Sequence, residues 1–119
     1  MVNNISQNIT KMTIRTFYKS TEVNTMFEFA NGTKFWYKND KLHRENDLPA
    51  VELTNGDKEW YQNGKLHRDN DLPAIIYSNY VKEWYQNGLK HRDNDLPAIE
   101  HSDGSKEWYK NGIKYYPNK

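Results

Sequence analysis

The sequence contains no cysteine among its 119 residues, so neither a disulfide framework nor a thiolate metal site can form. It has no apolar run long enough to cross a membrane, and its first residues lack the continuous apolar segment of a secretory signal. A reducing intracellular setting fits both observations. We therefore expect a cytoplasmic protein.

The sequence also lacks an excess of one charge sign. Its 17 Lys and Arg residues against 16 Asp and Glu give a net charge of +1, which argues against a general electrostatic hold on nucleic acid or anionic lipid. Hydrophobic residues make up only 35% of the chain, but aromatic residues reach 14%. A folded chain of this composition needs an aromatic-rich core, and its length predicts one domain.

What the sequence does contain is a tandem repeat of 24 residues. The tryptophans recur at this interval, and so do a His-Arg pair and a proline that follow each of the first three tryptophans. Such a period is typical of stacked supersecondary units. The equivalent tryptophans are Trp36, Trp60, Trp84 and Trp108.

Each repeat carries two turn signals between short alternating segments, as in Asn55-Gly56 and Asn63-Gly64. An Asn-Gly pair is the strongest local signal of a β-hairpin, because a type I′ turn needs positive φ at both central residues. The sequence therefore predicts an all-β fold, an elongated antiparallel β-meander built from four tandem repeats. Tyr80 stands where a glycine is expected, which predicts a longer turn or one of another type.

Two-residue turns fix the cross-strand partners. Around Asn63-Gly64 they place Tyr61 opposite Leu66, Trp60 opposite His67, and Glu59 opposite Arg68. Around Asn55-Gly56 they place Val51 opposite Trp60 and Ala50 opposite Tyr61, and one repeat further Ile75 opposite Trp84. The tryptophans then form the core row, and the tyrosines lie on the opposite face with Glu–Arg pairs.

The ends of the chain depart from the repeat. We expect residues 1–25 to form an N-terminal cap with a strand at Thr13–Tyr18, residues 26–112 to hold the tandem repeats, and residues 113–119 to form a C-terminal cap. Within each repeat, a bend at Asp69–Pro73 interrupts the strand ladder because proline lacks a donor. Whether this bend is a kink or a loop decides between two and three strands per repeat.

At "YQNG", "KEWYQNGKLHR" and "NGDKEWY" the chain resembles MORN-type repeats, in a variant ending His-Arg-x-x-Asp-x-Pro-Ala that occurs in hypothetical proteins of bacteriophages and giant viruses. The resemblance covers about Met26 to Lys119. Known MORN arrays are elongated antiparallel β-meanders that act as protein-interaction or membrane-apposition modules, and the resemblance implies the same architecture here. The standard repeat has further glycines that this chain lacks, which sets it apart from lipid-binding members.

Metal binding and catalysis are the two chemical interpretations of the repeated His-Arg-x-x-Asp triplet. Equivalent histidines (His43, His67 and His91) in a meander lie at least two strand spacings apart, roughly 10 Å, too far to share a zinc ion. A catalytic site is normally one asymmetric constellation, whereas three copies at equal spacing indicate structural roles. We expect no metal, no cofactor and no enzymatic activity, with Arg68 pairing Glu59, Arg92 pairing Glu83, and Asp47, Asp71 and Asp95 closing the bend before proline.

The sequence favours a non-enzymatic protein-interaction module, because tyrosine and arginine dominate protein contacts. A virus- or phage-encoded protein that binds or inhibits a host protein in the host cytoplasm is one form of this hypothesis. Self-association through sheet edges, and binding of single-stranded nucleic acid or a phospholipid surface, are the alternatives. The candidate partner-binding residues are Tyr37, Tyr61, Tyr85, Tyr109, Arg44, Arg68 and Arg92.

Overall fold

The computed structural model describes residues 11–19 and 21–118, and this part of the chain consists of β-strands and turns. Residues 1–10 of the expected N-terminal cap lie outside it. No helix in the described part is long and apolar enough to cross a membrane. The strands are β1 (Met12–Lys19), β2 (Glu22–Phe29), β3 (Lys34–Lys38), β4 (Lys41–Leu42), β5 (Val51–Glu52), β6 (Lys58–Glu59), β7 (Tyr61–Gln62), β8 (Lys65–Leu66), β9 (Ile75–Ile76), β10 (Lys82–Glu83), β11 (Tyr85–Gln86), β12 (Leu89–Lys90), β13 (Ile99–Glu100), β14 (Lys106–Lys110) and β15 (Ile113–Tyr115).

Eleven of these strands form one antiparallel sheet in the described part of the chain, in the order β1-β2-β3-β5-β6-β9-β10-β13-β14-β15 with β4 beside β3. Two further hairpins, β7-β8 and β11-β12, branch from it. The molecule measures 61 × 41 × 20 Å, a long thin slab. This architecture confirms the predicted all-β antiparallel meander, and β1 contains the strand predicted at Thr13–Tyr18.

Each repeat contains three strands, and in the two inner repeats the middle strand is divided at its tryptophan. The Trp60 amide donates to the carbonyl of Ala74 in the large sheet (2.7 Å), while the Trp60 carbonyl accepts from the His67 amide in the side hairpin (3.1 Å). Trp60 thus joins β6 to β7 and is bonded on both sides. The strand count that the sequence left open is three.

The side hairpin has the predicted register. Tyr61 pairs with Leu66 and Gln62 with Lys65, and the φ angles of Asn63 (51°) and Gly64 (82°) are those of a type I′ turn. The expected proximity of His67 to Trp60 is also confirmed by their backbone hydrogen bond.

The register predicted around Asn55-Gly56 is wrong by one residue. Val51 pairs with Glu59 rather than Trp60, and Ile75 pairs with Glu83 rather than Trp84. The loop has three residues instead of two: Gly56 at φ 97° donates to the Leu53 carbonyl, and the Leu53 amide donates to Asp57. This is a turn followed by a glycine bulge, and the extra residue shifts every partner by one.

The turn at Tyr80 has the same hydrogen bonding as its equivalents, contrary to expectation. The Tyr80 amide donates to the Tyr77 carbonyl (2.9 Å), and Tyr80 adopts a φ of 72°. Gly56 and Gly104 occupy the same place in neighbouring repeats at φ 97° and 90°. Tyr80 therefore holds a left-handed conformation that its Cβ disfavours, and its side chain is 77% exposed.

A tight turn joins β8 to β9, so the bend after Arg68 is a loop between separate strands. Asn70 and Asp71 have φ angles of 64° and 56°. The Leu72 amide donates to the Asp69 carbonyl (3.4 Å). Asn and Asp tolerate this conformation better than other residues do. Asp71 thus lies in the bend before proline, as predicted, with a left-handed backbone conformation.

The core runs along the array as a row of small, aliphatic and aromatic side chains. Trp60 and Trp84 are 5% and 6% exposed, while Trp36 and Trp108 in the terminal repeats are only half-buried. The tryptophan row is thus the core in the two inner repeats. The other buried apolar residues are Ala50, Val51, Ala74, Ile75, Ala98 and Ile99.

Candidate functional site

The tyrosine row lies beside a row of glutamates. The Tyr61 hydroxyl donates to Glu59 Oε1 (2.9 Å), and Tyr85 donates to Glu83 in the same way. Burial, followed by the hydrogen bond to Glu59, raises the pKa of the Tyr61 phenol above its ordinary value of 10.0. Each inner tyrosine is therefore a half-buried donor with a fixed acceptor.

The arginine row makes different contacts from those predicted. Arg68 does not pair with Glu59; its Nε donates to Asp47 Oδ1 (2.9 Å) and one terminal nitrogen donates to the Pro73 carbonyl (3.1 Å). Its guanidinium carbon lies 3.8 Å from the ring centre of Trp60. Glu59 pairs with Val51 and Ile75 in the large sheet, whereas Arg68 follows the side hairpin that begins at Trp60, so the two residues are not opposite each other. Only 13% of the Arg68 side chain is exposed.

The same arrangement recurs around Arg92, which donates to Asp71, Pro97 and Glu100 rather than to the predicted Glu83. Arg44 stacks on Trp36 and donates to Glu52. Asp47 and Asp71 therefore have a second role that the sequence did not indicate, because their carboxylates bind the arginine of the following repeat.

Tyrosines and arginines occupy opposite faces of the array. Arg44 bonds Glu52, which pairs with Lys58, whereas Tyr61 bonds Glu59, the residue after Lys58. Successive side chains of a strand point to opposite faces, so the two sets are separated by the sheet. The seven predicted site residues do not form one surface, because the arginines share the face of the tryptophans.

Both ring nitrogens of His43, His67 and His91 are hydrogen-bonded, and the bond at Nδ1 joins each of them to the next repeat. His67 Nδ1 accepts the Asn87 amide (3.1 Å), and Nε2 lies 2.8 Å from Asp69 Oδ1. An accepting Nδ1 places the ring hydrogen on Nε2, which donates to the carboxylate. His43 and His91 bond in the same way. No group of three potential metal-ligating side chains occurs in the described residues.

The first repeat differs from the others by an aromatic cavity of about 400 Å³ at the β1–β4 end of the sheet. Phe27 meets Tyr37 edge to face (5.4 Å between ring centres, 89°), and Phe29 meets Phe35 likewise (5.8 Å, 84°). The cavity lies on the tyrosine face. Its walls are completed by Met12, Thr25 and Asp40.

A row of exposed leucines was missed in the sequence. Leu48, Leu72 and Leu96 occupy the same position of successive repeats and are 43%, 36% and 37% exposed. Each follows the Asx turn before proline, and the pattern could have been found by asking which recurring apolar residues stand next to turn residues.

Comparisons with known proteins add one short match to this β-repeat fold. Over 21 residues the chain is 67% identical to "Uncharacterized protein L111" of Acanthamoeba polyphaga mimivirus, a stretch that is 18% of this chain and 6% of that protein. The chain thus covers a small part of this relative's length. No family model matches, and no solved structure matches.

Proposed function

We propose that the chain is a non-enzymatic protein-interaction module that uses the surface of its β-repeat array. The supporting observation is that the polar and the exposed apolar residues of the repeat have different roles. The groups capable of acid, base or phosphate chemistry are engaged in bonds across repeats: His67 accepts from the main-chain amide of Asn87, and Arg68 donates to Asp47. The leucine row Leu48, Leu72 and Leu96 recurs at the surface without such a role, and it is apolar.

The tyrosines remain better candidates for partner contact than the arginines. Tyr61 and Tyr85 are half-buried on a face shared with Glu59 and Glu83, whereas Arg68 and Arg92 are 13% and 12% exposed and already paired. The same pairing argues against the alternative in which the arginines bind single-stranded nucleic acid or a phospholipid surface, since their charge is neutralised by Asp47 and Asp71.

The mimivirus match supports the narrower proposal of a virus- or phage-encoded protein that binds or inhibits a host protein. Such a protein would act in the host cytoplasm. Thin slabs suit this use because most of their residues are near a surface that a partner can cover.

Affinity capture with three versions of the full chain tests the proposal. The wild type is compared with a Leu48/Leu72/Leu96→Ser variant and with a Lys58/Lys82→Ser control, which alters exposed residues elsewhere. Circular dichroism verifies that all three are folded. We expect one partner to be retained by the wild type and the control and lost by the leucine variant. Equal retention by all three, or retrieval of no partner, would contradict the leucine surface; salt-sensitive capture of labelled oligonucleotide would favour the nucleic-acid alternative.

A further inference from the structure

The aromatic cavity coincides with two departures from the repeat. Glu59, Glu83 and Glu107 occupy one position in the later repeats, and the first repeat has Phe35 there. A glycine ends the side-hairpin turn in the later repeats, at Gly64, Gly88 and Gly112, and the first repeat has Asp40 there. Both substituted residues line the cavity. A residue that recurs in every repeat indicates a structural role. Two residues that replace the recurring ones and line the same cavity indicate a role that is specific to the first repeat.

The four rings form walls at right angles. In an edge-to-face pair, the positive edge of one ring points at the electron-rich face of the other, and this contact leaves the faces of the first ring available to another group. Phe27 with Tyr37 and Phe29 with Phe35 are two such pairs, with interplanar angles of 89° and 84°. All four rings line the same cavity. An aromatic ring attracts a cation to its face, so a cavity lined by four rings can attract one from more than one side.

The charge at the cavity is also rearranged. The glutamate that binds tyrosine in the later repeats is absent beside Tyr37, and a carboxylate stands instead at Asp40 in the turn. None of the described residues forms an ion pair with Asp40. Asp40 has a φ of 65°, a conformation that its glycine equivalents adopt without a Cβ penalty. A carboxylate with no ion-pair partner among the described residues, on a lining that it shares with four aromatic rings, provides the counter-charge for a cation.

We propose that this cavity binds a quaternary ammonium group. The aromatic faces attract its diffuse charge, Asp40 supplies the opposite charge, and Met12 offers an apolar contact to its methyl groups. A quaternary nitrogen has no N–H group, so it loses no hydrogen bonds to water when it enters aromatic surroundings, unlike a primary ammonium. A cavity of about 400 Å³ holds such a group together with part of the chain that carries it.

This inference is independent of the interaction proposed above, because the cavity would bind a free compound or a trimethylated lysine side chain by the same contacts. Choline and 3,3-dimethylbutanol provide the sharpest pair of probes, since they share a shape and differ in charge. We expect the full chain to bind choline in calorimetric titration at constant ionic strength, and to bind the neutral compound at least about tenfold more weakly.

Three variants connect binding to the cavity. Phe35→Leu keeps an apolar side chain and removes a ring, and we expect it to weaken choline binding about tenfold; Asp40→Asn removes only the charge and should weaken it several-fold. Asp40→Gly restores the residue of the other repeats, so it should raise stability while it weakens binding, which separates binding from damage to the fold. Tyr85→Phe, outside the cavity, should bind choline as the wild type does.

A capped tripeptide with trimethyllysine, compared with the same peptide containing lysine, identifies the source of the group. Binding of the trimethyllysine peptide more tightly than choline assigns the site to a protein side chain, and the reverse assigns it to a free compound. The proposal is overturned if choline does not bind at about 10 mM, if 3,3-dimethylbutanol binds as tightly as choline, or if Phe35→Leu and Asp40→Asn leave choline binding unchanged.

Discussion

Arg68 donates two parallel hydrogen bonds, of 2.9 and 3.2 Å, to the carboxylate of Asp47, a residue of the preceding repeat. The same guanidinium covers the ring of Trp60. Planar, two-point bonding and stacking at once are properties of arginine that lysine does not share. One side chain therefore ties two successive repeats together and closes the core over the tryptophan.

Replacing Arg68 with lysine should lower the free energy of unfolding by about 1–2 kcal/mol, because one point charge replaces a stacked fork. Urea unfolding monitored by tryptophan fluorescence measures this loss. A double-mutant cycle with Asp47→Asn isolates the pair, and we expect the two substitutions to be clearly less than additive. Additive effects would show that Arg68 acts through its other contacts, the Trp60 ring and the Pro73 carbonyl.

Trp84→Phe and Trp108→Phe form a matched comparison, because both indoles donate to an aspartate carbonyl at 3.0 Å. Trp84 is 6% exposed beneath Arg92, whereas Trp108 is half-buried and has Tyr116, 80% exposed, at the arginine position. We expect losses of about 2–3 kcal/mol for Trp84 and about 1 kcal/mol for Trp108. Equal losses in chemical unfolding would refute the importance of arginine cover.

Tyr80→Gly should raise the free energy of unfolding by about 1 kcal/mol, since glycine adopts the φ of 72° without strain and the exposed side chain contributes little packing. Thermal unfolding checks the sign. Gly56→Ala makes the opposite change at the equivalent position of the neighbouring repeat and should be destabilising. A destabilised Tyr80→Gly variant would indicate that the tyrosine ring packs in solution.

High pH should unfold the protein through the inner tyrosines. Burial, then the hydrogen bonds to Glu59 and Glu83, raise the pKa of Tyr61 and of Tyr85 above 10.0 in the folded state. The stability linked to these phenols is therefore fully present below pH 10 and decreases as the pH rises above it, because only the unfolded chain releases the protons. Absorbance of tyrosinate and circular dichroism should change together.

The Tyr61→Phe variant is the control for this titration. It removes one of the linked phenols, so its stability should decline less steeply above pH 10, while at neutral pH it should be about 1 kcal/mol less stable for want of the hydrogen bond to Glu59. Ionisation of all tyrosines with the fold intact would contradict the linkage.

The sequence allowed the side hairpins to be predicted to the residue, because Asn63-Gly64 satisfies both positive φ angles of a two-residue turn. It could not distinguish this turn from the one at Asn55-Gly56, where only the glycine has positive φ and the loop includes Thr54. The same dipeptide is compatible with both geometries, and the choice depends on how the flanking strands pack.

The arginine contacts were missed for a related reason. Arg68 and Asp47 are 21 residues apart, so their pairing depends on the stagger between repeats and not on the register within one hairpin. The difference of the first repeat was visible as Phe35 and Asp40 in the sequence, but only the folded sheet places these two residues around the same cavity.

The same joint recurs between successive repeats: the turn glycines Gly64 and Gly88 donate to the carbonyls of Leu42 and Leu66 in the hairpin before them. A coding segment for one whole unit, duplicated or deleted in the middle, would therefore leave this glycine joint in place between the units that remain. The length of the slab can therefore change in steps of one repeat. Genetic recombination between similar repeats would lengthen or shorten it while the terminal repeats stay the same.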